Sequence, residues 1–415
     1  MEEPIVVGID IGTTKVCTLV ARLEGEADMR ILGVGIEPAN GIKKGNVIDI
    51  TAATRSISNS IEKAQRTSGL EIESALVSMA GSHVSAMNSR GVVGISGGVI
   101  TQEDVERALE AAMAVAMPHN REIIHVIQRG FSVDGQDGIV SPINFSGFRL
   151  EVEAHIITAA AATVENIRQC VNACNVEVLQ FVLNPLASGE VVLTKAERDM
   201  GVCVCDIGGG TSDLAIYING DVWHTNVLPI GGSHITQDIA IGLRISPEQA
   251  EQVKKQYGHA MTAEVGDGEF FTLKTFSDDQ PLQIKRRDLA YIIEARVEEI
   301  FQLLREEVRR SGYDNLLPAG MILTGGSSQL PGMRQLAANV LNMPVRVARP
   351  ENLIGLVDQL QSPAYSTSVG LLKWSELMTQ PSYALTRPRK PKSSGFKPAG
   401  LDLNKVKAWM ERLLP

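Results

Sequence analysis

Two stretches of the chain repeat one another. Ile5-Val-Val-Gly-Ile-Asp10-Ile-Gly12-Thr13-Thr14 is matched by Gly201-Val-Cys-Val-Cys-Asp206-Ile-Gly208-Gly209-Gly210-Thr211-Ser212-Asp213. In each, a β-branched run ends at Asp-Ile-Gly, turns through Gly and Thr, and resumes as a second strand over 16–21 or 214–218, which predicts a hairpin. A chain that carries this unit twice is constrained to two similar α/β halves. Helical patterns over 51–67, 162–174 and 331–341 follow the hairpins, and strands alternating with helices predict sheets covered on both faces.

Two longer stretches interrupt the halves, 82–158 and 233–296, and each is expected to form a small subdomain. In the first, Thr101 is the expected N-cap of a helix with acids in its first turn and Val105, Leu109 and Met113 on one face. Strands over 123–127 and 149–157 are expected after it. In the second, Ser246-Pro247-Glu248 starts a helix with Pro at its first position. A long helix over 287–310 is expected next, its stripe Leu289, Ile293, Val297, Ile300, Leu304 and Val308 opposite a charged face, ending at Gly312. The expected division is therefore 1–82 with 159–198 as the first lobe, 83–158 inserted in it, 199–232 with 297–374 as the second lobe, and 233–296 inserted there.

Composition narrows the function classes. Forty-eight acidic against 39 basic residues give a net charge of −9 over 415 residues, so nucleic acid is not an expected partner. Five cysteines form no disulfide framework of the kind small secreted domains use, and point to a reducing cytoplasm. Cys203 and Cys205 alternate on a strand while Cys170 and Cys174 lie four apart on a helix; core packing, not metal, is expected of them. The seven histidines are scattered singly. The N-terminus lacks the basic and apolar regions of a signal peptide, and no apolar run approaches the ~20 residues that span a bilayer.

The end of the chain reverses this charge balance. Residues 375–400 interleave Pro381, Pro388, Pro391 and Pro398 with Arg, Lys, Ser and Gly, a flexible linker. Residues 401–415 regain a helical period, with Leu403, Val406, Trp409, Met410, Leu413 and Leu414 on one face and Lys405, Lys407 and Arg412 beside it. From Pro381 onward eight basic residues stand against two acids. Fourteen helical residues reach ~21 Å, too short to span and suited to lying on an anionic lipid surface.

The duplicated turns carry the chemistry. Glycine turns after a strand let backbone N–H groups approach a polyphosphate closely. Asp10 and Asp206 stand at the strand ends where phosphates would lie, so a hydrated Mg²⁺ between them is expected. Gly12, Gly208, Gly209 and Gly210 shape the turns; Thr13, Thr14, Lys15, Thr211 and Ser212 supply donors; Asp213 could hold the second hairpin or a water. No Walker A loop occurs. A third turn, Thr324-Gly325-Gly326-Ser327, runs from strand towards a helix near Pro331 and suits a nucleoside against backbone.

With 184–190 and 366–370 as crossing helices, these elements resemble the actin, Hsp70 and sugar-kinase superfamily, of ribonuclease H-like fold. The resemblance implies ATP and Mg²⁺ between two lobes. It also implies a water-orienting residue nine positions before Gly189, at Gln180, and slow hydrolysis. Together with the insertion at 82–158, the Ser246-Pro-Glu-Gln-Ala-Glu-Gln-Val-Lys-Lys255 region and the basic tail, the chain resembles the FtsA family of bacterial cell-division proteins over nearly its whole length. That family implies an actin-like protein that polymerises at the cytoplasmic face of the membrane, tethers the FtsZ ring and recruits later division proteins, a scaffold more than an enzyme. It places the FtsZ C-terminal peptide on the second insertion, where Arg286, Arg287 and Arg296 could pair with carboxylates. A pilus-assembly adaptor resembling PilM, or a small-molecule kinase using the same cleft, is the alternative.

Overall fold

The computed structural model describes residues 4–24, 28–114, 118–274 and 282–378. The expected amphipathic face (Leu403, Lys405, Val406, Lys407, Trp409, Met410, Arg412, Leu413, Leu414), and the linker from 379 on, lie outside the described residues.

The first repeated motif folds as a hairpin of β1 (Ile5–Ile11) and β2 (Lys15–Glu24), with Asp10 opposite Cys17. β3 (Asp28–Pro38) pairs antiparallel with β2. A short pair, β4 (Ile42–Lys43) and β5 (Asn46–Val47), precedes α1 (Ile50–Ser68). Asp49 starts α1 by accepting from the Ala52 N–H, and Gly69 stops it in the left-handed region. β6 (Ser74–Met79) then lies parallel to β1.

The chain next leaves this sheet for β7 (Val84–Gly94), α2 (Gln102–Met113), β8 (Arg121–Val133), β9 (Gln136–Ile139) and β10 (Arg149–Ala160). Thr101 caps α2 in a reciprocal capping box with Asp104. These strands form a separate sheet, order β7-β10-β8-β9. α2 covers it, and the insertion closes its own core around Val105, Leu109, Leu150 and Ile156. α3 (Ala161–Asn172) and β11 (Glu177–Leu183) bring the chain back to the first lobe.

α4 (Asn184–Val192) and α5 (Lys195–Met200) lead to the second lobe, where β12 (Val202–Ile207) and β13 (Ser212–Ile218) repeat the hairpin. β14 (Asp221–Leu228), α6 (Gly232–Leu243), α7 (Pro247–Tyr257), β15 (Phe270–Leu273), β16 (Leu282–Lys285) and α8 (Arg286–Ser311) follow. The lobe ends with β17 (Met321–Thr324), α9 (Met333–Leu341) and β18 (Val345–Val347). β19 (Ile354–Gly355) returns to the first sheet, and α10 (Ser366–Met378) completes the described chain. The sheets run β11-β6-β1-β2-β3-β19 and β14-β13-β12-β17-β18. β17 lies parallel to β12 as β6 lies parallel to β1, so the sequence repeat is a structural one.

The second insertion differs from the first. The apolar stripe of α8 is buried as expected, but in one continuous core with Cys203, Cys205 and Leu323 of the second lobe's sheet. A 26-residue helix serves both parts, so they share one core. Both cysteines of β12 are packing residues.

α10 runs past the expected boundary at Trp374 to Met378, because Trp374, Leu377 and Met378 pack into a core between the lobes with Leu186 and Val204. It crosses α4 so closely that a Cβ on Gly370 would stand 1.9 Å from the Ala187 carbonyl oxygen. The contact is backbone on backbone, so Gly370→Ala must push the two helices apart. A loss of about 3 kcal/mol is expected from such overpacking, read as a lower thermal midpoint; an unchanged midpoint would mean that the crossing is loose.

Candidate nucleotide site

Asp10 ends β1 and Asp206 ends β12, and both carboxylates are buried. Adjacent hydroxyls on the first turn of α10 hold them. Thr367 donates to Asp206 Oδ2 at 2.7 Å and Ser368 to Asp10 Oδ2 at 2.7 Å. A single helix turn thus ties together acids from opposite lobes. Ser78 on β6 donates to Asp10 Oδ1 at 3.0 Å and accepts from the Ile11 N–H at 2.9 Å. Burial, helped by nearby Asp10, pushes the Asp206 carboxyl up to about 6 against the Thr367 hydrogen bond and the Lys15 charge.

The two turns face each other. A Cβ on Gly209 would stand 2.2 Å from Thr14 Oγ1, and one on Gly210 2.6 Å from Thr13 Oγ1. The Gly12 N–H is turned back onto the Lys15 carbonyl at 3.0 Å, and the Gly208 N–H onto the Thr211 carbonyl at 2.9 Å. Lys15 Nζ lies 3.6 Å from Asp10 Oδ2 and donates to the Ala364 carbonyl at 2.7 Å. Burial depresses this ammonium more than any single neighbour raises it, but Asp10 together with Cys17, Tyr365 and Asp206 outweighs burial and the pKa is raised. Ser327 Oγ donates to the Gly208 carbonyl at 3.0 Å, joining the third turn to the second hairpin. Gly325 has φ +84, and a Cβ there would stand 2.3 Å from Asp206 Oδ1; no other residue fits. Gly326 opens a short 3₁₀ turn (Gly326–Gln329), and α9 begins after it, two residues beyond Pro331.

Asp213 stands directly opposite Asp206 across the β12–β13 ladder. Thr211 donates to its Oδ2 at 3.2 Å, Asn184 hydrogen-bonds it, and burial followed by the Asp206 charge raises its pKa well above the usual range. Asp213 Oδ1 and Asn184 Oδ1 are buried with no hydrogen-bond partner among the described residues. Such oxygens call for a cation, a water or a proton, and a set of buried carboxylate and amide oxygens suits hydrated Mg²⁺.

The structure does not bring Gln180 to this group. It sits on β11 opposite Leu76, which is level with Gly8, two residues short of Asp10 and two strands away. Its amide lies 3.5 Å from His125 Nδ1. The count back from Gly189 lands on β11, four residues before α4 starts at Asn184. Asn184 is the residue that this count missed, and its Asn-Pro helix start was the available signal. Lys254 was missed as well. It reaches from α7 to the Gly232 carbonyl at 3.0 Å, the Thr236 hydroxyl at 2.8 Å and Glu251 at 2.6 Å, beside the second hairpin, whose Gly208 carbonyl accepts from the Gly232 N–H at 2.9 Å.

The basic cluster at the start of α8 is not free. Arg296 grips Asp238 of α6 through Nε at 2.5 Å and Nη2 at 3.0 Å. Arg286 pairs with Glu269 at 2.5 Å and donates to the Tyr257 carbonyl at 2.8 Å. Arg287 pairs with Asp267, in a bridge whose acid is 82% exposed.

Comparison with known proteins agrees with this architecture. The family described as cell division protein FtsA matches residues 203–370, and the SHS2 domain inserted in FtsA matches 81–158. Cell division protein FtsA of Pseudomonas aeruginosa is 40% identical over 396 residues, covering 93% of this chain and 95% of that protein. The structure of a PilM–PilN type IV pilus biogenesis complex matches with a TM-score of 0.64 at 16% identity, covering 89% of this chain and 98% of that one. MreB5 of Spiroplasma citri bound to ADP matches with 0.51 at 13%, covering 90% and 96%. At these identities the solved structures establish an actin-like fold alone, which PilM shares, and the sequence relatives decide between its families. With two hairpin lobes, an SHS2 insertion and 40% identity over nearly full length, the chain belongs to the FtsA family of actin-like cell-division proteins.

Proposed function

We propose that the protein binds Mg²⁺–ATP between its lobes, polymerises at the cytoplasmic face of the membrane, to which residues 401–415 tether it, and holds the FtsZ ring there while later division proteins join it. The pairing of Asp10 and Asp206 by neighbouring hydroxyls of α10 carries the nucleotide half of this reading. Mg²⁺, when bound, would neutralise phosphate charge and be held through water by Asp10 and Asp206. Thr13, Thr14, Lys15, Thr211 and the backbone of Gly12 and Gly208–Gly210 would contact phosphates once the turns part. Gly325, Gly326 and Ser327 would lie under the nucleoside, with Lys254 beside them. Asn184 with Asp213, rather than Gln180, would orient an attacking water, because theirs are the unpartnered oxygens beside Asp206. Hydrolysis with no stronger base would be slow. An ATP titration with and without EDTA tests the site, and a binding curve indifferent to EDTA would refute the metal.

The second insertion remains the proposed dock for the FtsZ C-terminal peptide, and the ion pairs above decide which arginine to test. An exposed pair such as Arg287–Asp267 contributes only ~0–1 kcal/mol, so a peptide carboxylate can take Asp267's place. Arg296 braces α6 against α8, and changing it would disturb the subdomain itself. Arg287→Glu is expected to weaken recruitment of FtsZ to vesicles about tenfold, the effect of losing and reversing one charge-assisted contact, while ATP binding persists. Full recruitment by this variant would move the dock elsewhere.

A further inference from the structure

The inserted sheet grows out of the first lobe, yet β7, β8 and β10 lie against β14, the edge strand of the second lobe. A line of hydrogen bonds crosses this seam and returns. Thr225 Oγ1 on β14 is 3.0 Å from His155 Nε2 on β10, and His155 Nδ1 is 2.6 Å from Asn88 Oδ1 on β7. Asn88 Nδ2 then reaches the hydroxyl of Tyr313, just beyond α8 in the second lobe, at 3.4 Å. Because an amide oxygen only accepts, His155 carries its proton on Nδ1 and Nε2 accepts from Thr225. The ring is neutral, since burial, with the neighbouring Arg129 guanidinium acting the same way, lowers its pKa to about 3.

Beside this line the guanidinium of Arg129, on β8, lies 4.1 Å from the ring centre of Trp223 on β14. Burial raises the pKa of Asp221, at the start of β14, to about 6 despite this guanidinium. Trp223 meets Tyr313 edge-on at 5.4 Å. Arg129 Nε and Trp223 Nε1 are buried here with no partner among the described residues.

A permanent seam would be apolar and fully satisfied. This one has an apolar part, where Val222 and Val227 of β14 share a core with Ile157 of β10, but beside it runs the polar line, and two buried donors stay unmet until it opens. It is also a third tie between the lobes, after the crossed helices and the facing turns. We propose that the seam is a latch: docked on β14, the inserted subdomain holds the cleft closed, and its release sets the rate of nucleotide exchange. The exchange part rests on the proposed nucleotide site; the docking and release of the seam do not.

The test uses the full chain loaded with Mg²⁺ and a fluorescent ATP analogue, chased with excess ATP, together with hydrogen–deuterium exchange over 84–94 and 221–228. Thr225→Val removes the donor to His155 at nearly constant volume, and Arg129→Ala removes the stacked cation. Each is expected to speed release about tenfold, the worth of one buried polar contact, and to raise exchange in both strands. Thermal melting identifies a variant that fails to fold, in which case the other decides. Release within twofold of the native rate in the folded variants overturns the gate, and unchanged exchange overturns the latch itself. If the native protein holds no nucleotide, the site reading fails, and exchange alone then judges the seam.

Discussion

Replacing Asp206 by Asn is expected to stabilise the nucleotide-free protein and, in the same molecule, to cripple Mg²⁺-dependent nucleotide binding. The folded-state pKa is raised to about 6 from the ordinary 3.8, so the fold binds this proton more tightly than the unfolded chain does. Its contribution to stability is complete below about pH 4 and is lost as pH rises through 6. At pH 7.5 the buried, ionised carboxylate therefore destabilises the empty protein by on the order of 3 kcal/mol, from a shift of about two units. Asparagine removes that charge and keeps an oxygen for the Thr367 hydroxyl. The thermal midpoint without nucleotide should rise by several degrees. Affinity for Mg²⁺–ATP should fall roughly 10- to 100-fold, the range seen when a partner just outside a metal's own ligands is lost, and its EDTA sensitivity should disappear. In the native protein, affinity should weaken as pH drops through 6 and Asp206 takes up its proton. A variant that binds Mg²⁺–ATP as tightly as the native protein would mean that Asp206 does not face the metal.

Cutting the chain after Met378 is expected to abolish sedimentation with anionic vesicles while leaving nucleotide binding intact. The cut belongs there and not at Trp374, because Leu377 and Met378 pack between the lobes and their removal would damage the core. Partial burial of Trp409, Met410, Leu413 and Leu414 in the lipid interface would contribute on the order of 5 kcal/mol, and each nearby Lys or Arg would add about 1 kcal/mol at an anionic surface. One helix of the length expected from the sequence would be a marginal anchor, so stable attachment would favour many tails on one filament. Trp409→Glu should lower partitioning by about 100-fold or more, since it removes the largest apolar group and adds repulsion. Vesicle binding by the shortened chain would locate the contact in the body of the protein.

Local chemistry was readable wherever one residue type does one job. Thr101, Ser246 and Gly312 begin and end their helices as their side chains require, and the stripe on α8 is buried residue for residue. Register across strands was not readable, because it depends on where neighbouring elements start. Gln180 illustrates this, since pairing of β11 with β6 sets it level with Gly8, two strands from Asp10. Ion-pair partners were equally hidden. The sequence shows three arginines near the start of α8, but Asp238 lies on a different helix and only packing brings it to Arg296.

By itself, then, the sequence determined the two hairpins, the lobes built on them and the acids at the strand ends, because a repeated strand–turn–strand unit with glycine at the bend has few ways to fold. Only the tertiary structure decided which groups meet. Thr367 and Ser368 reach Asp206 and Asp10 across 161 and 358 residues of chain, and His155 meets Thr225 across 70. Such contacts form when separately folded layers dock, and the docking is set by the shape and buried area of whole faces, which no local pattern of residues encodes.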